Sequence, residues 1–384
     1  ATITVNVSNT YASGTTGNWS NTSTWGGGVV PPSTGDVIIS HDITVDASTN
    51  TLNSITVDVG NTLTVNESQT ITVSNASTIN GSVTVTGTYT AGGLSDVNGI
   101  ISVTGTYDAN GAFDATSGTV TINANGTLAV AGTITDLGTF TNNGTFAMDG
   151  SGTKTVPGSG SKSTHIELAN DGANYKISGG DVTLATDGTE WQIKGKLDFD
   201  DSSTDLIIDT TSGTKLVLYS STTFEDGTNG SHIRSNTDSY VQVEFDKASG
   251  NNTGLTIPIG PNGSNRAIGI NPNENPATVY TVLYKTGTPV ALSSSYPIFG
   301  VPVNHTNLTS INNHNYYYDV DPTIDIDTYI TLGFVGLDDT PSAVDRYLIH
   351  WDGSEWDEMT TTSTGTGTVT ALATSFSPFG QGSG

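Results

Sequence analysis

Gly81-Ser-Val83-Thr-Val85-Thr-Gly87-Thr-Tyr89-Thr-Ala91-Gly-Gly93 is followed, after five intervening residues, by Gly99-Ile-Ile101-Ser-Val103-Thr-Gly105-Thr-Tyr107-Asp-Ala109-Asn-Gly111. Glycine falls every six residues, slips at Gly118, and resumes at Gly126, Gly132, Gly138, Gly144 and Gly150. Two positions after most glycines stands a large apolar residue, from Val83 to Phe146, with Ser95 the exception. Four positions after, small or apolar residues hold until Asp136 and Asn142 break the row. Apolar residues at alternate positions make a short strand with one inward face. A glycine next in line permits a corner of positive φ with no Cβ in the way. Three hexads then close one coil of about eighteen residues. The repeat of Val85-Thr-Gly-Thr-Tyr89 as Val103-Thr-Gly-Thr-Tyr107 has that displacement and predicts Tyr89 stacked on Tyr107. A lone coil cannot bury its own face, so coils must stack on a shared core. A hairpin β-sandwich is the alternative, but its turns recur at about eight to twelve residues. The reading is an all-β chain: a β-solenoid of undetermined handedness, then a C-terminal β-sandwich.

Composition agrees. Of 384 residues only 34% are hydrophobic and 12% charged, with 46 glycines and no cysteine. Threonine suits a pleated surface, and Gly, Asn and Ser suit turns. Net charge is −26, from 11 basic and 37 acidic residues, and no Lys or Arg precedes Lys154. Such a surface repels phosphate backbones and anionic lipid, which argues against nucleic acid as a partner. No apolar run approaches spanning length, so direct membrane insertion is not expected. The chain reads as an exported protein after signal-peptide removal, extracellular or at the cell surface.

Along the chain, residues 1–65 form a capping region at the start of the solenoid. Residues 66–150 are the regular glycine-paced coils, 151–245 a less regular continuation, and 246–384 the sandwich. In the first segment stand Trp19, Ser23-Thr-Trp25-Gly-Gly-Gly28, Pro31-Pro, Gly35-Asp-Val-Ile-Ile39 and Asp42-Ile-Thr-Val45. This order resembles the eight-glycine extracellular domain family, and the resemblance implies a cap in which Trp19 and Trp25 pack over the first coil. Beyond residue 246 prolines cluster and strands lengthen. Pro258-Ile-Gly260 with Arg266 and Ile270, then Trp351-Asp-Gly-Ser-Glu-Trp356, then Ser375-Phe-Ser-Pro-Phe-Gly380 resemble the non-catalytic end of Bacteroidota surface proteins. In that family these motifs precede a sorting domain for type IX secretion. This chain departs from the pattern by stopping at Gly384, which leaves the export route open.

Candidate chemistry is sparse. Polysaccharide lyases on β-helices use a Lys or Arg base, which the cation-free first 153 residues cannot supply. Asp96, Asp108, Asp114 and Asp136 are the carboxylates available for hydrolysis, but they sit near corners, where Asp is a favoured turn residue. Six histidines are scattered, with His305 and His314 near Tyr316 the closest grouping. No catalytic residues are assigned, and the chain is expected not to be an enzyme.

Calcium is the expected cofactor, if any. Hard cations take clustered oxygen ligands, and three groups of aspartates offer them. These are Asp198, Asp200, Asp201 and Asp205; Asp319, Asp321, Asp325 and Asp327; and Asp338, Asp339 and Asp345, with the middle group first choice. Three functions stay open. The first is a non-catalytic surface protein, structural or adhesive, whose partners are surface glycans or proteins. The second is a self-assembling filament subunit whose partners are copies of itself. In that case Ala1, Thr2, Ile3, Thr4, Val5, Asn6 and Val7 form an alternating strand fit for donation. The third is a carbohydrate-binding or polysaccharide-processing module with Trp191, Trp351 and Trp356 as stacking platforms.

Overall fold

The computed structural model describes residues 9–49, 51–149, 154–156, 165–169, 172–178, 180–184, 190–199, 204–208, 215–227, 231–235, 240–245, 254–260, 265–273, 278–286, 310–311, 316–333, 346–351, 356–365, 368–376 and 378–383. Parallel ladders form a β-solenoid of about 8 turns averaging ~21 residues, followed by strand-rich sheets. The chain divides into two compact units, Ala1–Lys162 with Ile166–Val182, and Ser163–His165 with Thr183–Gly384.

The first unit is built from three parallel sheets, one per side of the coil. The first stacks Thr10–Ala12, Asp36–Ile39, Ser54–Val57, Ser77–Ile79, Ser95–Val97, Phe113–Asp114 and Ile134–Asp136. The second stacks Gly17–Asn18, Ile43–Val45, Thr62–Val65, Ser82–Val85, Ile100–Val103, Thr119–Ile122 and Thr139–Asn142. The third stacks Thr51–Leu52, Thr70–Val73, Thr88–Ala91, Thr106–Ala109, Thr127–Val130, Thr145–Met148 and Asn174–Ile177. Strands of the central coils alternate outward and buried residues, so Leu63, Val83, Ile101 and Val120 form one continuous inner column. Val85 pairs with Val103 and Tyr89 with Tyr107, the eighteen-residue displacement read from the hexads. That displacement is local. Ile100 pairs with Thr119, Thr106 with Thr127 and Thr62 with Ser82, so coil length runs from 18 to 21 in this region. The corners absorb the difference.

Tyr89 and Tyr107 stack with centroids 4.7 Å apart and planes 5° from parallel. Ser95, which broke the apolar row, is fully buried and accepts the Tyr107 hydroxyl at 3.1 Å; Ser77 does the same for Tyr89 at 2.8 Å. A buried phenol needs a partner, and the small residue opposite supplies it. The two later breaks have separate causes. The register shifts between Phe113 and Asp114, so Asp136 pairs with Asp114 on the outside of the coil. Asn142 stays inward, where its Nδ2 donates to Asn174 O at 2.9 Å and its Oδ1 accepts Gly144 N–H at 3.0 Å.

The glycines serve a purpose different from the one inferred from sequence. Of the hexad glycines described, only Gly138 has positive φ, at 66°. At Gly99 and Gly105 a Cβ would lie inside 3.0 Å of the backbone oxygen of Gly81 and Gly87, one coil below. Corners stack closely because backbone rests on backbone, and any side chain would wedge the coils apart.

At the N-terminal end, Trp25 meets Trp19 edge-on at 4.7 Å and donates its indole N–H to Trp19 O at 2.9 Å. Both rings are buried, beside strands whose partners are the rungs at 36–39 and 43–45.

In the second unit the parallel ladders widen. Glu190–Ile193 pairs with Lys215–Tyr219, which pairs with Tyr240–Phe245, and Leu206–Ile208, Ile233–Arg234 and Ile259–Gly260 form a second ladder. Pairing then changes sense. Tyr240–Phe245 is parallel to Lys215–Tyr219 on one edge and antiparallel to Thr278–Thr286 on the other. The antiparallel sheet continues through Tyr316–Pro322, Phe379–Ser383, Arg346–Trp351 and Trp356–Glu358. Facing it is a sheet of Leu255–Ile257, Ile268–Pro272, Thr328–Gly333, Thr368–Ala373 and Thr361–Gly365. Tyr280 bridges the two layers, sharing a 2.6 Å hydrogen bond with Thr328 and packing edge-on to Phe376 at 6.0 Å. The sandwich thus grows from the last rung of the wide coils, and that rung's open edge is covered.

Candidate functional site

Inward columns are closed, so any site of the first unit lies on its outer faces. The first sheet turns outward Asp36, Ser54, Thr56, Thr78, Asp96, Asp114 and Asp136. Its carboxylates are occupied locally. Asp36 accepts Ser54 Oγ and Asn53 Nδ2, each at 2.6 Å, and these bonds hold its carboxyl below the usual carboxylate range. Asp114 accepts Thr116 N–H at 3.0 Å, Asp136 accepts Gly138 N–H at 2.7 Å, and Asp96 and Asp108 accept Asn98 and Asn110 amides, each at 3.2 Å. Asp96, Asp108, Asp114 and Asp136 are turn-forming carboxylates, each holding its own corner, whereas Asp36 ties its coil to the next.

The second sheet has a different outer face. One column runs Thr44, Thr64, Thr84, Ser102, Thr121, Thr141, and beside it runs Thr62, Ser82, Ile100, Thr119, Thr139. Ten of these eleven side chains carry a hydroxyl, and none is ionisable. The register through these strands has no shift, although the coils between them differ in length. The third sheet carries Thr70, Thr88, Thr106, Thr127 and Thr145 in one column, but Thr72, Thr90, Asp108 and Ala129 in the next.

Of the residues singled out from sequence, Ala1, Thr2, Ile3, Thr4, Val5, Asn6 and Val7 lie outside the described residues, as do Asp200, Asp201, Asp338, Asp339, Asp345, His305 and His314. Asp319 and Asp321 occupy alternate positions of the strand Tyr316–Pro322, while Asp325 and Asp327 follow in the exposed turn before Thr328–Gly333. Among the described residues, no three His, Asp or Glu side chains come together as a metal-ligating group. Asp198 pairs instead with Lys196 at 3.4 Å. Glu225, bonded to the same ammonium, is the main cause of a Lys196 pKa raised above its ordinary value.

Trp191 is fully buried and offers no stacking surface, because the wide coils need a large inward residue there. Trp351 and Trp356 pair across a hairpin. Two features escaped the sequence reading. Asp205, nine-tenths buried, lies 3.4 Å from His232 Nδ1 and 3.5 Å from Arg234, an ionic group inside the wide coils built from residues 27 and 29 apart in sequence. A shallow cavity of about 370 Å³ is lined by Phe224, Asp226, Thr256, Pro258 and Asn265. Neither has a local sequence signature, since each is assembled from different coils.

Among the described residues, no helix is long and apolar enough to cross a membrane. No protein-family model, curated protein or solved structure matches the chain.

Proposed function

We propose that this chain is a non-catalytic surface protein, structural or adhesive, acting outside the cell. The observation that carries this reading is the second sheet of the first unit. Its register is maintained through seven strands, six of which present an outer face made almost wholly of neutral Thr and Ser, while the corners absorb the differences in coil length. A stack of this kind transmits load from coil to coil through ladder hydrogen bonds and a continuous core, which suits a spacer or a contact surface. The absence of Lys and Arg before Lys154 removes the usual lyase base from these coils. Export is part of the same proposal and is supported by the resemblances at both ends of the chain; the C-terminal motifs make a type IX route one candidate for it.

Negative-stain imaging of the purified chain over a wide concentration range, joined to a polysaccharide-cleavage screen, tests it. Discrete particles with no cleavage are expected. Concentration-dependent filaments would replace this reading with that of a polymer subunit, and cleavage of any glycan would overturn it.

A further inference from the structure

We propose that the outer face of the second sheet binds an ordered lattice of water, with ice as its occupant; this names the partner of the adhesive reading above and rests on it. An ice surface is neutral and periodic, and it offers only hydroxyl-type donors and acceptors. A protein that adsorbs to it needs many weak contacts at a matching repeat, since one water-mediated hydrogen bond adds little by itself. Avidity then comes from number.

The second sheet meets these demands. Hydrogen-bonded neighbouring strands place equivalent backbone positions about 4.7–4.9 Å apart. Within each strand, Thr62 and Thr64, Ser82 and Thr84, Thr119 and Thr121, and Thr139 and Thr141 repeat at about 6.6 to 6.8 Å, twice the rise per residue. The first spacing is close to the oxygen repeat along the short axis of hexagonal ice. Threonine adds a methyl beside each hydroxyl, so water in the troughs between columns is caged by apolar groups and anchored by polar ones.

Charge distribution is the second, independent argument. The chain carries 37 acidic residues, yet from the strand Thr62–Val65 onward the two central columns of this face hold none; the first carboxylate in line is Asp42, below Thr62 at the end of the array, while Asp36, Asp96, Asp114 and Asp136 stand on the first sheet and Asp108 on the third. A carboxylate orders water around itself and disrupts a lattice. Keeping charge off one face complements a neutral crystalline partner. Constant register on this face, against the shift at Phe113/Asp114 on the first, keeps the array periodic. Ligands such as polysaccharide chains are gripped by aromatic platforms and carboxylate or amide pairs, which these two columns lack.

The test uses the whole chain carrying one fluorescent label added at its C-terminal end, so that native and introduced lysines stay unmodified. Ice grown slowly in the labelled solution should take up the protein, and recrystallisation of fine ice should be inhibited. Thr84→Lys with Thr121→Lys should cut uptake about tenfold or more, as expected when a multivalent array is split. Thr90→Lys on the third sheet should leave uptake unchanged. Circular dichroism checks folding. If the lysine pair does not fold, Thr84→Val with Thr121→Val keeps the β-branched shape and should lose part of the uptake; full retention overturns the proposal. Exclusion of the unsubstituted chain from ice overturns it, as does equal loss from Thr90→Lys or binding to microcrystalline cellulose in place of ice. A chain excluded from ice but still discrete and non-cleaving loses this inference alone.

Discussion

Tyr107 shows how a single polar atom is accommodated in an otherwise apolar coil. Its hydroxyl donates to Ser95 across the interior, and burial pushes its pKa well above the usual 10.0. Tyr107→Phe strands the Ser95 hydroxyl without a donor and should cost roughly 1–3 kcal/mol in urea unfolding. Tyr107→Phe with Ser95→Ala should recover part of that loss, giving a measurable coupling in a double-mutant cycle. A phenol whose folded pKa is raised contributes stability that is complete below the unfolded value of 10.0 and lost as pH rises through the folded one. The wild-type chain should therefore lose stability above pH 10, less steeply in Tyr107→Phe. Asp36 has the opposite sign. Bonds from Ser54 and Asn53 lower its pKa, so its contribution is present above the ordinary 3.8 and lost as pH falls below it. Asp36→Asn should flatten the acid limb of a melting-temperature profile below that pH.

At the level of the element, much was legible in advance. The alternation around the hexads identified the strands, and the repeated Val-Thr-Gly-Thr-Tyr segment placed Tyr89 on Tyr107 before any coordinates. Ser95 stood as an unexplained exception to the apolar row because its partner is twelve residues away across the coil, a distance that no local pattern reports. The threonine columns were invisible for a related reason: coils of 18 to 21 residues hide which threonine sits above which. The role of the corner glycines was misread because close approach of two backbones leaves no trace in one corner alone. Gly105→Ala tests the corrected reading. Its Cβ would press on the coil below and should cost about 1–3 kcal/mol, as overpacking does. Gly27→Ala, which meets nothing within 4 Å, should stay within about 0.5 kcal/mol, and paired thermal melts would separate the two.

For the whole molecule, net charge sets the response to solvent. At −26, with no permanent side-chain cation before Lys154, self-repulsion opposes folding and is screened by salt. Melting temperature should rise with sodium chloride and level off once the Debye length falls below the spacing of the carboxylates. At matched ionic strength calcium and magnesium should act alike. A saturable extra gain with calcium alone would assign Asp319, Asp321, Asp325 and Asp327 a real binding role. The wide coils were harder to read than the narrow ones, since Asp205, His232 and Trp191 pack inward without a fixed period.

The tyrosine–serine bond has one further consequence. Ser77 and Tyr89 belong to one turn, and Ser95 and Tyr107 to the next, so each turn carries both halves of its own internal bond. A stretch from one serine to the residue before the next is then a self-sufficient module. Copying it in tandem, or removing one copy, leaves every remaining donor with its acceptor. Unequal recombination could therefore lengthen or shorten the protein a turn at a time, making length a variable that selection adjusts without redesigning the core.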